Sequence, residues 1–319
     1  MDRFTILITA RSFGLDDTDA WDLLRSHGCE VIHLKAVDGL SVEEQLAQHI
    51  GRADGIIAGL EPYDASLLRR AYRLKGISRY GVGYDAIDLQ EAQRLGIMVT
   101  NTPGANADSV ADLTVALLLA AARHIPVMDA ALRGGAMHRP LGMEMFAKTL
   151  GVLGTGRIGA GVVKRCSGFS MEILCCDVHP NEKLITSCNV RYVDFDELVE
   201  QSDFITIHTP LTAETRNLFN AEVLARMKPR SVLVNTARAG IIDESALAAA
   251  LQEGRVGAAA LDVMETDISG ANPLLAVDSC IVTPHAGAAT YEASNRMSMM
   301  AAQNLIDILS GRPCPYVVN

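Results

Sequence analysis

The chain has 319 residues, 49% of them hydrophobic and 21% charged, with a formal net charge of −10 at pH 7. This length suits two domains, and the composition is that of a globular protein with substantial hydrophobic cores. The acidic balance argues against a nucleic-acid partner or an anionic membrane surface, but it permits an anionic small-molecule substrate.

Cysteine usage and the search for targeting signals indicate the cellular compartment. The seven cysteines form no C-x-x-C pair, and Cys175 and Cys176 lie inside an apolar run, so we expect reduced thiols and no metal. The N-terminus lacks a long apolar signal core, and the longest apolar run, 115–122, is far shorter than the ~20 residues that span a bilayer. We therefore expect a cytoplasmic protein with no membrane partner.

Residues 4–100 alternate between predicted strands and helices. Ser41 and Glu44 form a capping-box pattern for one helix, Asp64 can cap the next, and Gly96 can close the last. Repeated β-α units without hairpin signals predict a parallel, doubly wound sheet. The predicted strands cover residues 5–9, 30–34, 55–60, 76–80 and 97–101.

Pro103 and Gly104 predict a break in secondary structure, and a nearly all-apolar helix, 109–123, follows it. A helix that is apolar on most sides must be buried between domains or between subunits. We interpret it as the crossover into a second domain and as an element of a homodimer. Residues 124–148 are predicted to form loops and a short helix.

The second domain opens on a glycine-rich loop. An apolar strand leads into Gly154, Gly156 and Gly159, which match G-x-G-x-x-G, and a helix follows. This spacing allows a tight turn and close approach to a pyrophosphate at the helix N-terminus. Asp177 ends the next predicted strand, where a carboxylate can accept ribose hydroxyls and repel a 2′-phosphate. The pattern favours NAD over NADP, with a glycine turn and a surface acid as the structural alternative.

Polar side chains stand where the later strands of this domain end. Ligands of open α/β sheets bind beyond the carboxyl ends of the strands. In hydride transfer a histidine can take the hydroxyl proton, a carboxylate can orient the imidazole, and an arginine can bind a substrate carboxylate. Singly, Arg238, Asp267 and His285 could each be surface or structural residues, but together they favour dehydrogenase chemistry. The predicted strands cover 150–154, 172–176, 204–208, 232–235, 258–263 and 280–283, and a final helix covers 288–310.

Seven short motifs lie at the strand ends and glycine turns of the two predicted domains. They are Gly81-Val82-Gly83-Tyr84-Asp85, Asn101-Thr102-Pro103-Gly104, Gly154-Thr155-Gly156-Arg157-Ile158-Gly159, His208-Thr209-Pro210-Leu211-Thr212, Val234-Asn235-Thr236-Ala237-Arg238-Ala239-Gly240, Leu261-Asp262-Val263 and Thr283-Pro284-His285-Ala286-Gly287. In this order they resemble the D-isomer-specific 2-hydroxyacid dehydrogenases, most closely the phosphoglycerate dehydrogenase and hydroxypyruvate reductase branch, and we expect no regulatory domain.

The resemblance covers almost the whole chain and implies its architecture. It implies an α/β protein of two Rossmann-type domains, each with a parallel doubly wound sheet. A flavodoxin-like substrate domain would comprise residues 1–100 plus 288–319, and an NAD-binding domain residues 101–287, with a cleft between them. The activity implied is that of an NAD-dependent enzyme acting on the CH–OH group of a small anionic 2-hydroxy acid, working as a homodimer.

The resemblance also implies roles for individual residues. Arg238 would bind the carboxylate and carbonyl of a 2-oxo acid, with His285 as the acid/base and Asp267 as its paired carboxylate. Arg79 and the backbone N–H groups of Val82 and Gly83 would contact the substrate. The NAD cofactor would be bound by Gly154, Gly156, Arg157, Ile158, Gly159, Asp177, His208, Thr209, Thr236, Ala237, Asp262 and Gly287.

Two departures from the family pattern leave the catalytic activity and the substrate open. Asp267 stands where the family has a glutamate before a proline. An arginine at the end of the third strand helps phosphoglycerate dehydrogenases to bind phosphate, whereas this chain has Gly59-Leu60-Glu61. The candidate substrates are 3-phosphoglycerate, glycerate or hydroxypyruvate, and glyoxylate. The alternative functions are a non-catalytic NAD(H)-binding regulator of corepressor type and a phosphite or formate dehydrogenase-like enzyme.

Overall fold

The computed structural model describes residues 4–37, 39–265 and 272–319. Its internal contacts divide the chain into two compact units. Unit 1 comprises Met1–Asn106 and Ala288–Asn319, and unit 2 comprises Ala107–Gly287. The divisions between the units therefore fall after residues 106 and 287, and the sequence-based prediction placed the domain boundaries after residues 100 and 287.

Unit 1 contains a five-stranded parallel sheet with the strand order β2-β1-β3-β4-β5, which is the flavodoxin-like order. Its central strands pair in register, as Ile56 does with Ile77, and their side chains are fully buried. The strands are β1 Thr5–Ile8, β2 Glu30–His33, β3 Gly55–Ala58, β4 Gly76–Arg79 and β5 Met98–Thr100.

Four α-helices connect the strands of unit 1, and two of them, α2 and α3, begin at the predicted capping residues Ser41 and Asp64. The Ser41 hydroxyl accepts from the backbone N–H of Glu44, and the Glu44 carboxylate accepts from the backbone N–H of Ser41. Asp64 accepts from the backbone N–H of Leu67 at 2.8 Å. The helices are α1 Asp19–Ser26, α2 Val42–His49, α3 Ala65–Leu68 and α4 Leu89–Arg94.

Unit 2 contains a seven-stranded parallel sheet with the order β12-β11-β10-β9-β6-β7-β8. The strand order reverses beside β6, so the crevice at its carboxyl end is the place where this class of sheet binds ligands. The strands are β6 Thr149–Leu153, β7 Glu172–Cys176, β8 Arg191–Tyr192, β9 Phe204–Ile207, β10 Val232–Asn235, β11 Ala258–Leu261 and β12 Cys280–Val282.

The apolar helix α5, Ala107–Ala122, packs within unit 2 against α7, β10 and β11, so its expected burial is accounted for by its own unit. By contrast, α6, Ile125–Arg133, has no buried residue. The remaining helices of unit 2 are α7 Arg157–Cys166, α8 Glu182–Cys188, α9 Phe195–Gln201, α10 Ala221–Arg226 and α11 Glu244–Gln252.

The C-terminal helix α12, Tyr291–Leu309, returns the chain to unit 1 and packs on β3 and β4. Leu305 and Ile308 fill the space over Gly55 and Gly76, where a Cβ atom would come within 2.8 Å of their side chains. Across the described ranges, no single helix is long and apolar enough to cross a membrane; α5 and α6 meet that length and composition only together, across a 63° bend.

Several predicted strands run one or two residues too long at their carboxyl ends. The strand predicted over 204–208 ends at Ile207, and the one predicted over 258–263 ends at Leu261. The polar residues after these points leave the sheet and turn into loops. His208 and Asp262 are therefore loop residues anchored directly to strand ends, which is where ligand-binding side chains of such sheets are found.

Candidate active site

The glycine loop after β6 is shaped by close backbone packing. Gly154 has a φ of +91°, and a Cβ atom there would lie 2.8 Å from the His208 carbonyl. A Cβ atom on Gly159 would overlap the Gly154 carbonyl oxygen, so helix α7 can approach the loop only with glycine at this position. Gly156 caps α7 and faces open space, as a residue must where a phosphate approaches the backbone.

Asp177 is held beside this loop by three hydrogen bonds. Its Oδ2 accepts from the backbone N–H of Thr155 at 2.5 Å and from the Thr155 hydroxyl at 3.0 Å, and its Oδ1 accepts from the backbone N–H of His179 at 2.9 Å. Partial burial acts to raise the pKa of Asp177, but the hydrogen bonds from His179 and Thr155 outweigh it and lower the pKa. A fixed, ionised carboxylate therefore stands at the end of β7.

His208 supplies a neutral imidazole at the end of β9. Burial lowers the pKa of His208 to about 3, so the ring is uncharged at neutral pH. Its Nε2 lies 2.9 Å from the Thr206 hydroxyl, whereas its Nδ1 is buried and has no hydrogen-bond partner within the described part of the chain. A buried polar atom of this kind is suited to a ligand.

The loop after β10 carries Arg238 and is organised by Asn235. The Asn235 Oδ1 accepts from the backbone N–H of Ala237 at 2.9 Å, and its Nδ2 donates to the Arg238 carbonyl at 2.8 Å. Arg238 is half-buried and donates through Nη1 to the Ala237 carbonyl at 2.7 Å. Thr236 points into the unit, where its hydroxyl lies 2.8 Å from that of Thr114.

Asp262 holds the turn that carries His285. Its carboxylate accepts from the Thr283 hydroxyl at 2.6 Å and from the backbone N–H groups of Ala286 at 2.7 Å and Gly287 at 2.8 Å. Its carbonyl accepts from the backbone N–H of His285 at 3.1 Å. These bonds hold His285 in the left-handed region, at a φ of +53°, which is uncommon for a non-glycine residue.

The predicted carboxylate partner of His285, Asp267, lies outside the described residues. The nearby acid Glu265 is engaged elsewhere. Its Oε1 is 3.3 Å from the guanidinium of Arg216, and its backbone N–H donates to Glu244 at 2.6 Å.

The predicted substrate residues of unit 1 lie at the carboxyl edge of its own sheet. Arg79 ends β4, is 9% exposed and donates to the Tyr80 carbonyl. Gly81 has a φ of +137°, its N–H donates to the Thr102 hydroxyl at 2.9 Å, and Asn101 donates to the Val82 carbonyl at 2.9 Å. The loop that contains Gly83 is thus held from both sides.

The structure therefore gathers two sets of predicted site residues, each on the carboxyl edge of one sheet. In unit 2 these are the cofactor residues together with Arg238 and His285. Sequence reasoning placed Asn235 at a strand end but gave it no role, and it did not identify the hydrogen bonds from the histidine turn to Asp262. A polar residue closing a buried strand was the available signal for Asn235. Among the described residues, no group of three or more histidine, cysteine, aspartate or glutamate side chains could hold a metal ion.

The sequence model of the D-isomer specific 2-hydroxyacid dehydrogenase NAD-binding domain matches residues 115–287. The chain is similar to a D-3-phosphoglycerate dehydrogenase of Methanocaldococcus jannaschii, with 43% identity over 91% of this chain and 56% of that protein. It therefore spans little more than half the length of that relative. A glyoxylate reductase of Thermofilum pendens is 41% identical over 91% of this chain and 88% of its own length.

A solved structure, the TT0316 protein from Thermus thermophilus, superposes with a TM-score of 0.89 at 37% identity, covering 99% of this chain and 100% of that one. The chain therefore belongs to the D-isomer specific 2-hydroxyacid dehydrogenase family. The predicted family, the α/β fold with two parallel sheets, NAD as the cofactor and an oxidoreductase of this class are confirmed.

Proposed function

We propose that this member of the D-isomer specific 2-hydroxyacid dehydrogenase family interconverts a small anionic D-2-hydroxy acid and its 2-oxo acid. One observation carries the proposal: the glycine loop and the loops bearing Arg238 and His285 meet the same carboxyl edge of the unit 2 sheet. NAD supplies a hydride acceptor when it is bound. The protein residues then bind the substrate, orient it and move one proton.

We assign the proton to His285 and the substrate carboxylate to Arg238. An imidazole whose pKa lies near neutrality can take the hydroxyl proton in oxidation and return it in reduction. A guanidinium can bind a carboxylate through two parallel hydrogen bonds and polarise the adjoining carbonyl. We propose Asp267 as the carboxylate that orients the imidazole.

The cofactor residues of unit 2 divide by the part of the dinucleotide that they suit. The N–H groups at the start of α7 suit the pyrophosphate, and the carboxylate of Asp177 suits the adenosine ribose. We propose the nicotinamide end for the strand-end loops on the other side of β6. The pyrophosphate set is Gly154, Gly156, Arg157, Ile158 and Gly159, and the nicotinamide set is His208, Thr209, Thr236, Ala237, Asp262 and Gly287.

In unit 1 we propose that Arg79 and the N–H groups of Val82 and Gly83 bind substrate, and that the substrate lacks a phosphate. Glu61 follows β3, and its Oε2 is buried with no hydrogen-bond partner among the residues that the structure describes. A carboxylate there repels a phosphate group. Glyoxylate and hydroxypyruvate are therefore favoured over the phosphorylated acid, and the similarity to a glyoxylate reductase along 88% of its length supports this choice.

The assay is NADH oxidation with glyoxylate, hydroxypyruvate and 3-phosphohydroxypyruvate as acceptors. We expect turnover of the first two, and an Arg238→Ala variant that loses at least about 100-fold in kcat/KM. Arg25→Ala, on the surface of α1, is the matched control and should behave as wild type. Tight NADH binding without turnover of any acid, with Arg238→Ala like wild type, would favour a non-catalytic regulator.

We further propose a homodimer in which a second copy covers α6 and the loop after it. No residue of α6 is buried, and this segment carries a group of large exposed side chains. Groups of exposed large apolar side chains on a folded surface are typical of interaction sites. The exposed residues are Ile125, Leu132, Met137, Leu141 and Phe146, with exposures between 50% and 96%.

A further inference from the structure

Tyr192, in the short strand β8, has no part in the activity described above, yet its hydroxyl is built into the adenosine side of the site. It accepts from the backbone N–H of Asn181 at 2.7 Å and lies 2.8 Å from the Thr155 hydroxyl. Thr155 in turn lies 3.0 Å from the Asp177 Oδ2. Four groups from β8, the loop after β7 and the glycine loop therefore form one chain of hydrogen bonds.

The direction of this chain is fixed by its two ends. A backbone N–H can only donate, so the Tyr192 oxygen accepts from Asn181; because the Thr155 proton goes to Asp177, the Tyr192 hydroxyl is the donor to Thr155. An ionised carboxylate can only accept, so the Thr155 hydroxyl donates to Asp177. The Tyr192 hydroxyl therefore commits the Thr155 proton to the carboxylate and strengthens the bond that holds Asp177 in place.

The same hydroxyl also fixes the segment that follows Asp177. The backbone N–H of Asn181 is bound to Tyr192, and that of His179 is bound to Asp177 at 2.9 Å. Both ends of the short stretch after β7 are thus tied down. The position of the Asp177 charge determines both how well the carboxylate accepts a ribose hydroxyl and how strongly it repels a 2′-phosphate.

We infer that Tyr192 is a positioning residue that sets the preference for NADH over NADPH by fixing Asp177 through Thr155. The inference rests on the proposed role of Asp177 at the adenosine ribose. Tyr192 acts without contacting the cofactor, because both hydrogen bonds of its hydroxyl are made to protein groups.

The test is fluorescence titration of the full chain with NADH and with NADPH, which requires no substrate. Tyr192→Phe removes the hydroxyl alone, and we expect it to raise the NADH dissociation constant about fivefold, the size of one hydrogen bond. The NADPH dissociation constant should stay the same or fall, so the ratio of the two affinities drops. Tyr72→Phe, at a side chain that is 83% exposed, is the matched control and should leave both values unchanged.

Two further variants test the route through Thr155. Thr155→Val should reproduce the loss of preference because its side chain cannot donate to Asp177, whereas Thr155→Ser should retain the wild-type ratio. A Tyr192→Phe variant with a lowered Tm and an unchanged ratio would overturn the inference and leave Tyr192 a purely structural residue. Asp177→Asn separates the two claims: if it leaves the ratio unchanged, the proposed role of Asp177 fails, and if it alone abolishes the preference, only the role of Tyr192 fails.

Discussion

Asp262→Asn tests whether the carboxylate holds the His285 turn. The carboxylate is 2% exposed and accepts three hydrogen bonds, two at Oδ1 and one at Oδ2. An asparagine can keep its oxygen at the Oδ1 position, but its NH₂ group then faces the buried N–H of Gly287, donor against donor. The variant therefore loses one hydrogen bond to a charged group and leaves a buried N–H unpaired.

The expected cost is about 3 kcal/mol, since a bond to a charged group and an unpaired buried donor are each worth roughly 1–3 kcal/mol. For a unit of this size, that corresponds to a fall in Tm of roughly 6–12 °C. The unsupported turn also misplaces the imidazole, and a displacement of about 1 Å costs ~100-fold in rate. Scanning calorimetry of the ligand-free protein measures the first effect, and kcat with NADH and glyoxylate measures the second.

Asp278→Asn is the matched control, because this aspartate is exposed and lies just before β12 in unit 2. Its substitution should change the free energy of unfolding by no more than about 0.5 kcal/mol. An Asp262→Asn variant whose Tm stays within about 2 °C of wild type while its NADH binding weakens would contradict a structural role for this carboxylate in the turn. In that case Asp262 acts on the cofactor alone and the turn stands without it.

Three other changes probe the glycine loop, the charge network of unit 1 and the exposed surface of unit 2. Gly159→Ala should abolish NADH binding in fluorescence titration, because its Cβ overlaps a loop carbonyl; binding within twofold of wild type would contradict this. Hydrogen bonds from Arg94 lower the pKa of Glu91 to about 2, so its stabilising effect is complete above pH 4.5 and is lost as the pH falls toward 2. Tm measured across that range should fall less steeply in Glu91→Gln than in wild type and in Glu43→Gln, and parallel curves would disprove the assignment. Leu141→Asp, at a residue that is 96% exposed, should convert a dimer to a monomer in light scattering, and a monomeric wild type would refute the homodimer.

The parallel sheets were predictable because most strands are short apolar runs that alternate with helices along the chain. β7 and β10 have the predicted bounds. β8 was not predicted, since Arg191–Tyr192 is too short to show a pattern and its place depends on pairing with Leu174 and Cys175 in β7. Local sequence carries no information about such long-range pairing.

Some features of the candidate site were likewise predictable from local sequence, and others depend on contacts between distant segments. The glycine loop and Asp177 follow from spacing, because the turn and the acid both belong to one β-α-β unit. The part played by Tyr192 does not, because its hydroxyl reaches Thr155, far earlier in the sequence, only after β8 has paired with β7. The hold of Asp262 on Gly287 is likewise a contact between the ends of two neighbouring strands.

Asp177 and Asp262 show why the sequence pattern located these acids and only partly explained them. Each follows a buried strand directly, and each accepts backbone N–H groups from a loop before any ligand is considered. A short side chain at a strand end can reach a neighbouring loop, and an ionised acceptor makes such a bond strong. The fold therefore favours aspartate at these two positions even without a cofactor. Binding a ligand requires in addition that each charge lie at a defined position, and the hydrogen bonds from the loops fix that position.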